Sequence, residues 1–261
     1  MRPSRCRRVW AEGQVAQGLL MHLPDARVAE IAASVGFDAL WIDLEHSPKG
    51  EATLEVLCRS IRAGAMVGDP PDVLARPAKG EYMRMGRLLE AGAHGILYPR
   101  CESAEEAAEV VHWMKFPPVG ERGFDGGNAD NAYGSYPAGS YVGDANRETW
   151  LAVQVETPAG VEAAEAMAEV EHVDALFFGP GDYSCCLGKP GHVMDPEVMR
   201  GAEATAAAAH KAGKVFGSLG FSPDQVKAMR DLDARLVIAG ADQGLLREAL
   251  RQRLAESRSE G

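Results

Sequence analysis

Eight short apolar runs, separated by stretches of helical periodicity, constrain this chain more than any other feature. They are Val15 to Met21, Ala39 to Asp43, Asp72 to Arg76, Gly95 to Pro99, Leu151 to Val155, Ala175 to Gly179, Val215 to Leu219 and Leu236 to Gly240. Most are apolar on consecutive residues, the pattern of strands covered on both faces. Between them, Asp25 to Val35 has helical spacing and stops at Gly36, and Glu81 to Ala91 does the same and stops at Gly92. Ser103-Ala104-Glu105-Glu106 is a capping-box pattern opening a helix to Lys115. Pro158 to Ala168, Asp195 to Ala212 and Ser222 to Asp231 complete the helical set. Alternating strands and helices imply parallel strands with right-handed crossovers. Eight such repeats in 261 residues match a (β/α)8 TIM barrel of a single domain, residues 1–261. An open doubly wound sheet is the alternative, but no GxGxxG follows the first strand, which weakens its nucleotide-binding version.

Two segments depart from the repeat. Residues 116–148 read as one long loop rich in Gly and Pro, and loops of that length are usually functional or disordered. At the other end, residues 243–256 read as a C-terminal helix whose Leu245 to Leu254 stretch is amphipathic enough to dock on a neighbour or on its own barrel. Met1 to Arg8 is basic, lacks the apolar core of a signal peptide, and reads as a solvated lead-in to the first strand.

The formal net charge of −11 disfavours nucleic acid as a partner, because phosphate neutralisation needs a basic surface. No apolar run is long enough to span a bilayer, so no membrane partner is expected. Five cysteines with no CxxC argue against a disulfide framework and for a reducing cytoplasm.

Catalytic groups of a barrel sit at the C-terminal strand ends. Those ends carry His22; Asp43, Glu45 and His46; Arg76; Arg100; Gln154 and Glu156; Asp182 and Ser184; Ser218; and Asp242. Gln154 and Glu156 are two apart and face the same way. If they face inward, Glu156 meets the barrel mouth beside Asp182 from the next strand. Two carboxylates with room for water and substrate describe a Mg²⁺ or Mn²⁺ site, against the alternative of a helix-start carboxylate. Gly179-Pro180-Gly181 lets a ligand approach the backbone, where the N–H groups of Gly181 and Asp182 could hold a carboxylate. His46 with Asp43 could form a base and its neighbour. Arg76, extended before Pro77, needs an anion, either a structural acid or substrate. No lysine stands at a strand end, so a Schiff-base mechanism is poorly supported.

These residues resemble the metal-dependent pyruvate aldolases of the HpcH/HpaI family, which includes 4-hydroxy-2-oxoheptanedioate aldolase and 2-dehydro-3-deoxyglucarate aldolase. The resemblance rests on Asp43-Leu44-Glu45-His46, Arg76-Pro77, Leu88 to Ala93, Pro117 to Gly123, Gln154-Val155-Glu156 and Gly179-Pro180-Gly181-Asp182, spread over nearly the whole chain. It implies that Glu156 and Asp182 bind a divalent metal, Mg²⁺ or Mn²⁺ with Co²⁺ or Zn²⁺ as further options. Pyruvate would chelate it, with Gly181 and Asp182 receiving the carboxylate and Gln154 ordering the site. Arg76 would support the enolate oxygen and His46, with Asp43 nearby, would move the proton. Glu90 stands where the family often carries Asp, an acid that reaches a neighbouring subunit's His, and so joins the catalytic set. Arg100 stands where Met or His is common, which points to an acceptor pocket for an anionic tail. The Gly-Pro-Gly-Asp-Tyr form also resembles macrophomate synthase, a decarboxylating relative, which makes Tyr141 a candidate substrate contact.

The expected activity is that of a class II aldolase acting on 4-hydroxy-2-oxo acids, with a 2-oxo acid and an aldehyde as small-molecule partners. Decarboxylation of oxaloacetate on the same site and non-catalytic binding of a 2-oxo acid are the alternatives. The resemblance also implies a homo-oligomer, a hexamer built from dimers that exchange the last helix.

Overall fold

The structure, a computed structural model, describes residues 1–65 and 68–259. Eight parallel strands close a barrel in chain order, β1 (Ala16–Met21), β2 (Ala39–Asp43), β3 (Asp72–Arg76), β4 (Gly95–Tyr98), β5 (Trp150–Val155), β6 (Ala175–Phe178), β7 (Val215–Leu219) and β8 (Leu236–Ala241), with β8 pairing back to β1. Helix α1 (Arg5–Ala11) precedes the barrel. The connections hold α2 (Ala26–Val35), α3 (Glu51–Gly64), α4 (Met85–Glu90), α5 (Ala104–Met114), α6 (Ala138–Glu148), α7 (Pro158–Glu162), α8 (Ala164–Glu169), α9 (Pro180–Cys186), α10 (Pro196–Lys211) and α11 (Pro223–Asp231), and α12 (Asp242–Ser259) follows the last strand.

Two apolar layers follow from strand alternation. Val153 and Val155 of β5, Leu40 and Ile42 of β2 and Val73 of β3 point outward into the helix-facing core. Trp41, Leu74, Leu97, Trp150, Ala152 and Phe177 fill the barrel interior. The same parity sends the polar ends of the strands inward. In β3, Asp72 lies at the base and Arg76 at the mouth, and in β5 Trp150 and Ala152 lie below Gln154 and Glu156.

Met1 to Arg8 is not a solvated lead-in. Ser4 caps α1, Cys6 is buried, and the helix stoppers the base of the barrel. Its polar attachment is Asp72, which accepts from the Ser4 hydroxyl and the N–H groups of Arg5 and Cys6. The basic side chains are consumed by acids at the strand starts: Arg5 bonds Asp38 at 2.8 Å and Arg7 bonds Asp174 at 2.8 Å. The segment read as one loop, residues 116–148, contains a short 3-10 turn at Ala129–Asn131 and all of α6. Tyr141 and Ala145 pack beneath Phe116, which gives α6 its buried face. The five cysteines are free.

Helix α12 leaves the barrel. Leu245, Leu246, Leu250 and Leu254 along it are exposed, and β8 exposes Ala239 where a packed helix would cover it.

Candidate active site

Five consecutive strands, β2 to β6, deliver the mouth. In-register pairing sets Asp43 of β2 beside Arg76 of β3, and the Arg76 Nε donates to Asp43 Oδ1 at 2.9 Å. The guanidinium lies over the Trp41 ring, 4.6 Å from its centroid, and its Nη1 reaches Gln154 Oε1 at 3.5 Å. Arg76 Nε is also 3.2 Å from Glu45 Oε2. An arginine with an aromatic floor and two carboxylates on one edge is fixed in direction and charge.

Glu156 is 2% exposed. Gln154 Nε2 donates to its Oε2 at 2.6 Å, and the Arg100 backbone N–H donates to its Oε1 at 2.9 Å. The turn after β6 closes on the same carboxylate: a Cβ placed on Gly179 would sit 2.5 Å from Glu156 Oε2 and 2.7 Å from Glu156 Cβ. Asp182 follows in the first turn of α9, whose opening N–H groups have no carbonyl one turn behind them. Burial, with the like charge of Asp182 second, pushes the Glu156 carboxyl up to about 8. Glu45 is raised by burial and by the charges of Asp43 and Asp182, against the pull of Arg76 and His46. Asp43 goes the other way: burial would raise it, but the hydrogen bond and charge of Arg76 hold it below its ordinary range.

His46 is mostly exposed, and its Nε2 lies 3.6 Å from Glu45 Oε2. His46 lies beside Glu45 and not in the expected pairing with Asp43, whose Oδ1 is held by the Arg76 Nε and the Glu45 backbone N–H while its Oδ2 has no hydrogen-bond partner. Glu45 stands among the strand-end residues, but sequence reasoning gave it no role. Its position one residue before His46 and two after inward-facing Asp43 was the available signal. The floor formed by Trp41 follows from the same parity.

Glu90 and Tyr141 are not brought to this cluster within the chain. The Tyr141 hydroxyl donates to Asp130 Oδ2 at 2.6 Å inside a buried group with Arg122 and Phe116. Burial raises the Glu90 carboxyl, opposed by Arg122 and assisted by Asp130 and Asp125, which places it in that same neighbourhood. Both belong to the connections that enter β4 and β5, at the end of the barrel opposite the mouth.

The donor set fits a hard divalent cation held with substrate and water. Glu156 and Asp182 are oxygen donors whose mutual repulsion a cation would relieve, and Glu45 Oε2 and Asp43 Oδ2 are buried without hydrogen-bond partners. A closed protein cage is not offered: among the described residues no three His, Cys, Asp or Glu side chains cluster for a metal.

Comparison with known proteins agrees with this architecture. The family described as HpcH/HpaI aldolase/citrate lyase matches residues 17–249. The chain is 34% identical over 249 residues to 2-keto-3-deoxy-L-rhamnonate aldolase of Klebsiella pneumoniae, covering 95% of this chain and 91% of that protein. It is 35% identical over 248 residues to the protein of the same name from Escherichia coli K12, with the same coverage of 95% and 91%. A solved HpcH/HpaI aldolase/citrate lyase family protein from Burkholderia cenocepacia superimposes with a TM-score of 0.91 at 31% identity, over 98% of this chain and 100% of that one. Macrophomate synthase superimposes with a TM-score of 0.84 at 26% identity, over 98% and 88%.

Proposed function

We propose that this chain, which belongs to the HpcH/HpaI aldolase/citrate lyase family, cleaves and forms 4-hydroxy-2-oxo acids through a pyruvate enolate held at the barrel mouth. It is a class II aldolase, a lyase acting on keto acids, in a divalent-metal-dependent group. The observation that carries the residue assignment is the convergence of Arg76, Gln154, Glu156 and Asp182 from β3, β5 and the turn after β6.

Glu156 and Asp182 would hold the cation, Mg²⁺ or Mn²⁺, with Co²⁺ or Zn²⁺ as substitutes. When bound, such an ion draws electron density from the C2 oxygen of a 2-oxo acid. Gly181 and Asp182 offer N–H groups to the substrate carboxylate. Gln154 holds Glu156 in one rotamer, with the amide oxygen facing Arg76. His46, oriented by Glu45, takes the proton from the C4 hydroxyl. The C3–C4 bond then breaks, its electron pair passes to C3 and the C2 oxygen, and C4 leaves as the aldehyde. Arg76 stabilises the charge gathering on the C2 oxygen from a fixed direction, the kind of preorganised electrostatics that usually supplies the largest catalytic term. His46 returns its proton to C3 and pyruvate is released.

The exposed leucines of α12 and exposed Ala239 on β8 support a homo-oligomer in which α12 docks on a second copy, and we extend this to a hexamer. Among the described residues no helix is long and apolar enough to cross a membrane, and the free thiols support a reducing cytoplasm.

The test is cleavage of a series of 4-hydroxy-2-oxo acids with Mn²⁺ and with a chelator. Equal yields of pyruvate and aldehyde, lost on chelation, are expected. Carbon dioxide from oxaloacetate without any aldehyde product would move the activity to decarboxylation. Cleavage that ignores chelation would overturn the metal assignment.

A further inference from the structure

We infer that Lys79 is a positioning residue for the cation site. Through the Arg100 carbonyl and the Glu102 carboxylate it fixes the turn after β4, and that turn holds Glu156. The inference rests on the reading of Glu156 and Asp182 as cation ligands and adds a residue outside that set.

The tie begins where the chain leaves β3. Arg76-Pro77 is followed by Ala78-Lys79-Gly80, and Gly80 takes a φ of 84°, a conformation open to glycine. Its N–H donates to the Tyr98 hydroxyl at 3.1 Å, which turns the loop toward the end of β4. Lys79 Nζ donates to the Arg100 carbonyl at 2.6 Å and to Glu102 Oε2 at 2.9 Å, and lies 3.3 Å from Glu106 Oε1. Its three ammonium hydrogens thus have three oxygens to meet. Glu106 is itself held, because the Tyr98 hydroxyl donates to its Oε1 at 2.9 Å and the Glu102 N–H to its Oε2 at 3.0 Å.

The other side of the same turn is tied to β5. Arg100 has a φ of 48°, in the left-handed region that side chains other than glycine rarely occupy. Strain of this kind persists only where surrounding contacts over-determine it. The Arg100 N–H donates to Glu156 Oε1 at 2.9 Å, and the Cys101 N–H donates to the Gln154 carbonyl at 3.0 Å. Glu102 Oε1 accepts from the Thr157 hydroxyl at 2.8 Å, and that hydroxyl oxygen accepts from the Gly160 N–H at 3.1 Å, capping α7. Lys79, Glu102 and Thr157 therefore link the end of β3, the turn after β4 and the residue that follows Glu156. The Arg100 side chain takes no part in this link and leans toward Asp182, with Nη1 3.4 Å from Oδ1.

Folding stability gives this ion pair little to do. Lys79 and Glu102 are 36% and 38% exposed, and exposed pairs add little to the folded state. Its effect falls on one residue of the backbone. The Arg100 N–H is one of two donors on Glu156, beside Gln154 Nε2, and the carbonyl that Lys79 holds belongs to that same residue. Freed from Lys79, Arg100 can relax out of the left-handed region, and its N–H then swings away from Oε1. Loss of a group that orients a metal ligand typically costs 10- to 100-fold in metal affinity. Charge alone predicts the opposite sign, because a lysine near the site repels a divalent cation and its removal should tighten binding.

Mn²⁺ affinity is measured by electron paramagnetic resonance on the full chain in wild type, Lys79→Met, Lys79→Arg and Lys211→Met, with urea unfolding of the metal-free proteins alongside. Lys211 serves as control, since it pairs with exposed Glu165. Expected is about 10-fold weaker binding in Lys79→Met, the lower end of that range, a partial return in Lys79→Arg and wild-type affinity in Lys211→Met. The metal-free folding equilibrium of Lys79→Met should move by no more than about fivefold, as for an exposed ion pair. Thr157→Val cuts the link on its other side and should weaken Mn²⁺ binding too, whereas Thr157→Ser keeps both hydrogen bonds and should not. Binding in Lys79→Met as tight as in the wild type, or tighter, overturns the inference. So does a fall in affinity matched by an equal fall in metal-free stability, which would make Lys79 a structural residue. A wild type that binds no Mn²⁺, or a Glu156→Gln protein that binds it as the wild type does, removes the cation reading and the inference with it.

Discussion

Replacing Gly179 by alanine isolates the positioning of Glu156 from its chemistry. Gly179 has φ −100° and ψ 86°, angles open to any residue, so the substitution carries no backbone penalty of the left-handed kind. Its effect is steric. The new Cβ would stand 2.5 Å from Glu156 Oε2, 2.7 Å from Glu156 Cβ and 2.9 Å from Gln154 Nε2. Ordinary carbon contacts begin near 3.5 Å, so the carboxylate must retreat by about 1 Å. That movement breaks the 2.6 Å bond from Gln154 and the 2.9 Å bond from the Arg100 N–H. It also exceeds the roughly 0.5 Å tolerance of a working metal or catalytic constellation. Disturbing the groups that orient a metal ligand typically costs 10- to 100-fold in metal affinity, about 1.4–2.8 kcal/mol. Overpacking should lower stability by about 1–3 kcal/mol in addition. Mn²⁺ titration followed by electron paramagnetic resonance reads the first quantity and urea unfolding without metal reads the second. Gly181→Ala is the control, because its Cβ meets nothing within 4 Å, and it should bind Mn²⁺ as the wild type does. A Gly179→Ala protein with wild-type Mn²⁺ affinity and stability would refute the claim that this turn clamps Glu156.

Three further outcomes follow from other parts of the molecule. Burial first, then Arg2, lowers the buried His94 to about 4, so below pH 6.5 the unfolded chain takes up a proton that the folded one refuses. Stability is full above pH 6.5 and falls by about 3 kcal/mol as pH drops toward 4; urea midpoints at pH 7.5 and 5 should differ by visibly less in His94→Gln, and an unchanged difference would contradict this. Lys115 is buried beneath the barrel, donating to the carbonyls of Asn146 and Thr149 at 2.8 Å each and to Thr149 Oγ1 at 2.9 Å. Lys115→Met takes this donor from the Asn146 carbonyl and leaves the Thr149 carbonyl with Arg7 alone, and should cost about 1–3 kcal/mol in unfolding free energy, whereas a loss below about 0.5 kcal/mol would show that the Asn146 carbonyl finds another partner. Leu250→Asp places a charge in the exposed stripe of α12, and light scattering should report a smaller assembly than the wild type with the barrel's circular dichroism intact; an unchanged mass would exclude α12 as the docking element.

The barrel was legible in the sequence because its strands are buried on both faces. Eight consecutive apolar runs announced themselves, and each lies within one residue, at either end, of an observed strand. Parity carried the reading one step further, since Gln154 and Glu156 share a face and the valines between and before them needed the other one. What the sequence hid was decided by long-range pairing. Nothing local in Ser4-Arg5-Cys6 says that Asp72, far along the chain, will accept their donors and turn a basic arm into a stopper. The buried face of α6 exists only once Phe116 and Arg122 lie against it, so a polar, glycine-rich stretch reads as loop. At the site, Asp43 and His46 look like neighbours in sequence. Only the in-register pairing of β2 with β3 shows that Arg76 claims the aspartate and leaves the histidine to Glu45.

Deuterium incorporation into the methyl group of pyruvate, followed by proton nuclear magnetic resonance in deuterated buffer, tests most directly whether Glu156 and Asp182 hold a cation that stabilises an enolate. The account expects exchange with Mn²⁺, none with chelator, and loss in both Glu156→Gln and Asp182→Asn, whose side chains keep their size and lose their charge. Exchange at an undiminished rate in chelator, or in either variant with Mn²⁺ present, would contradict it.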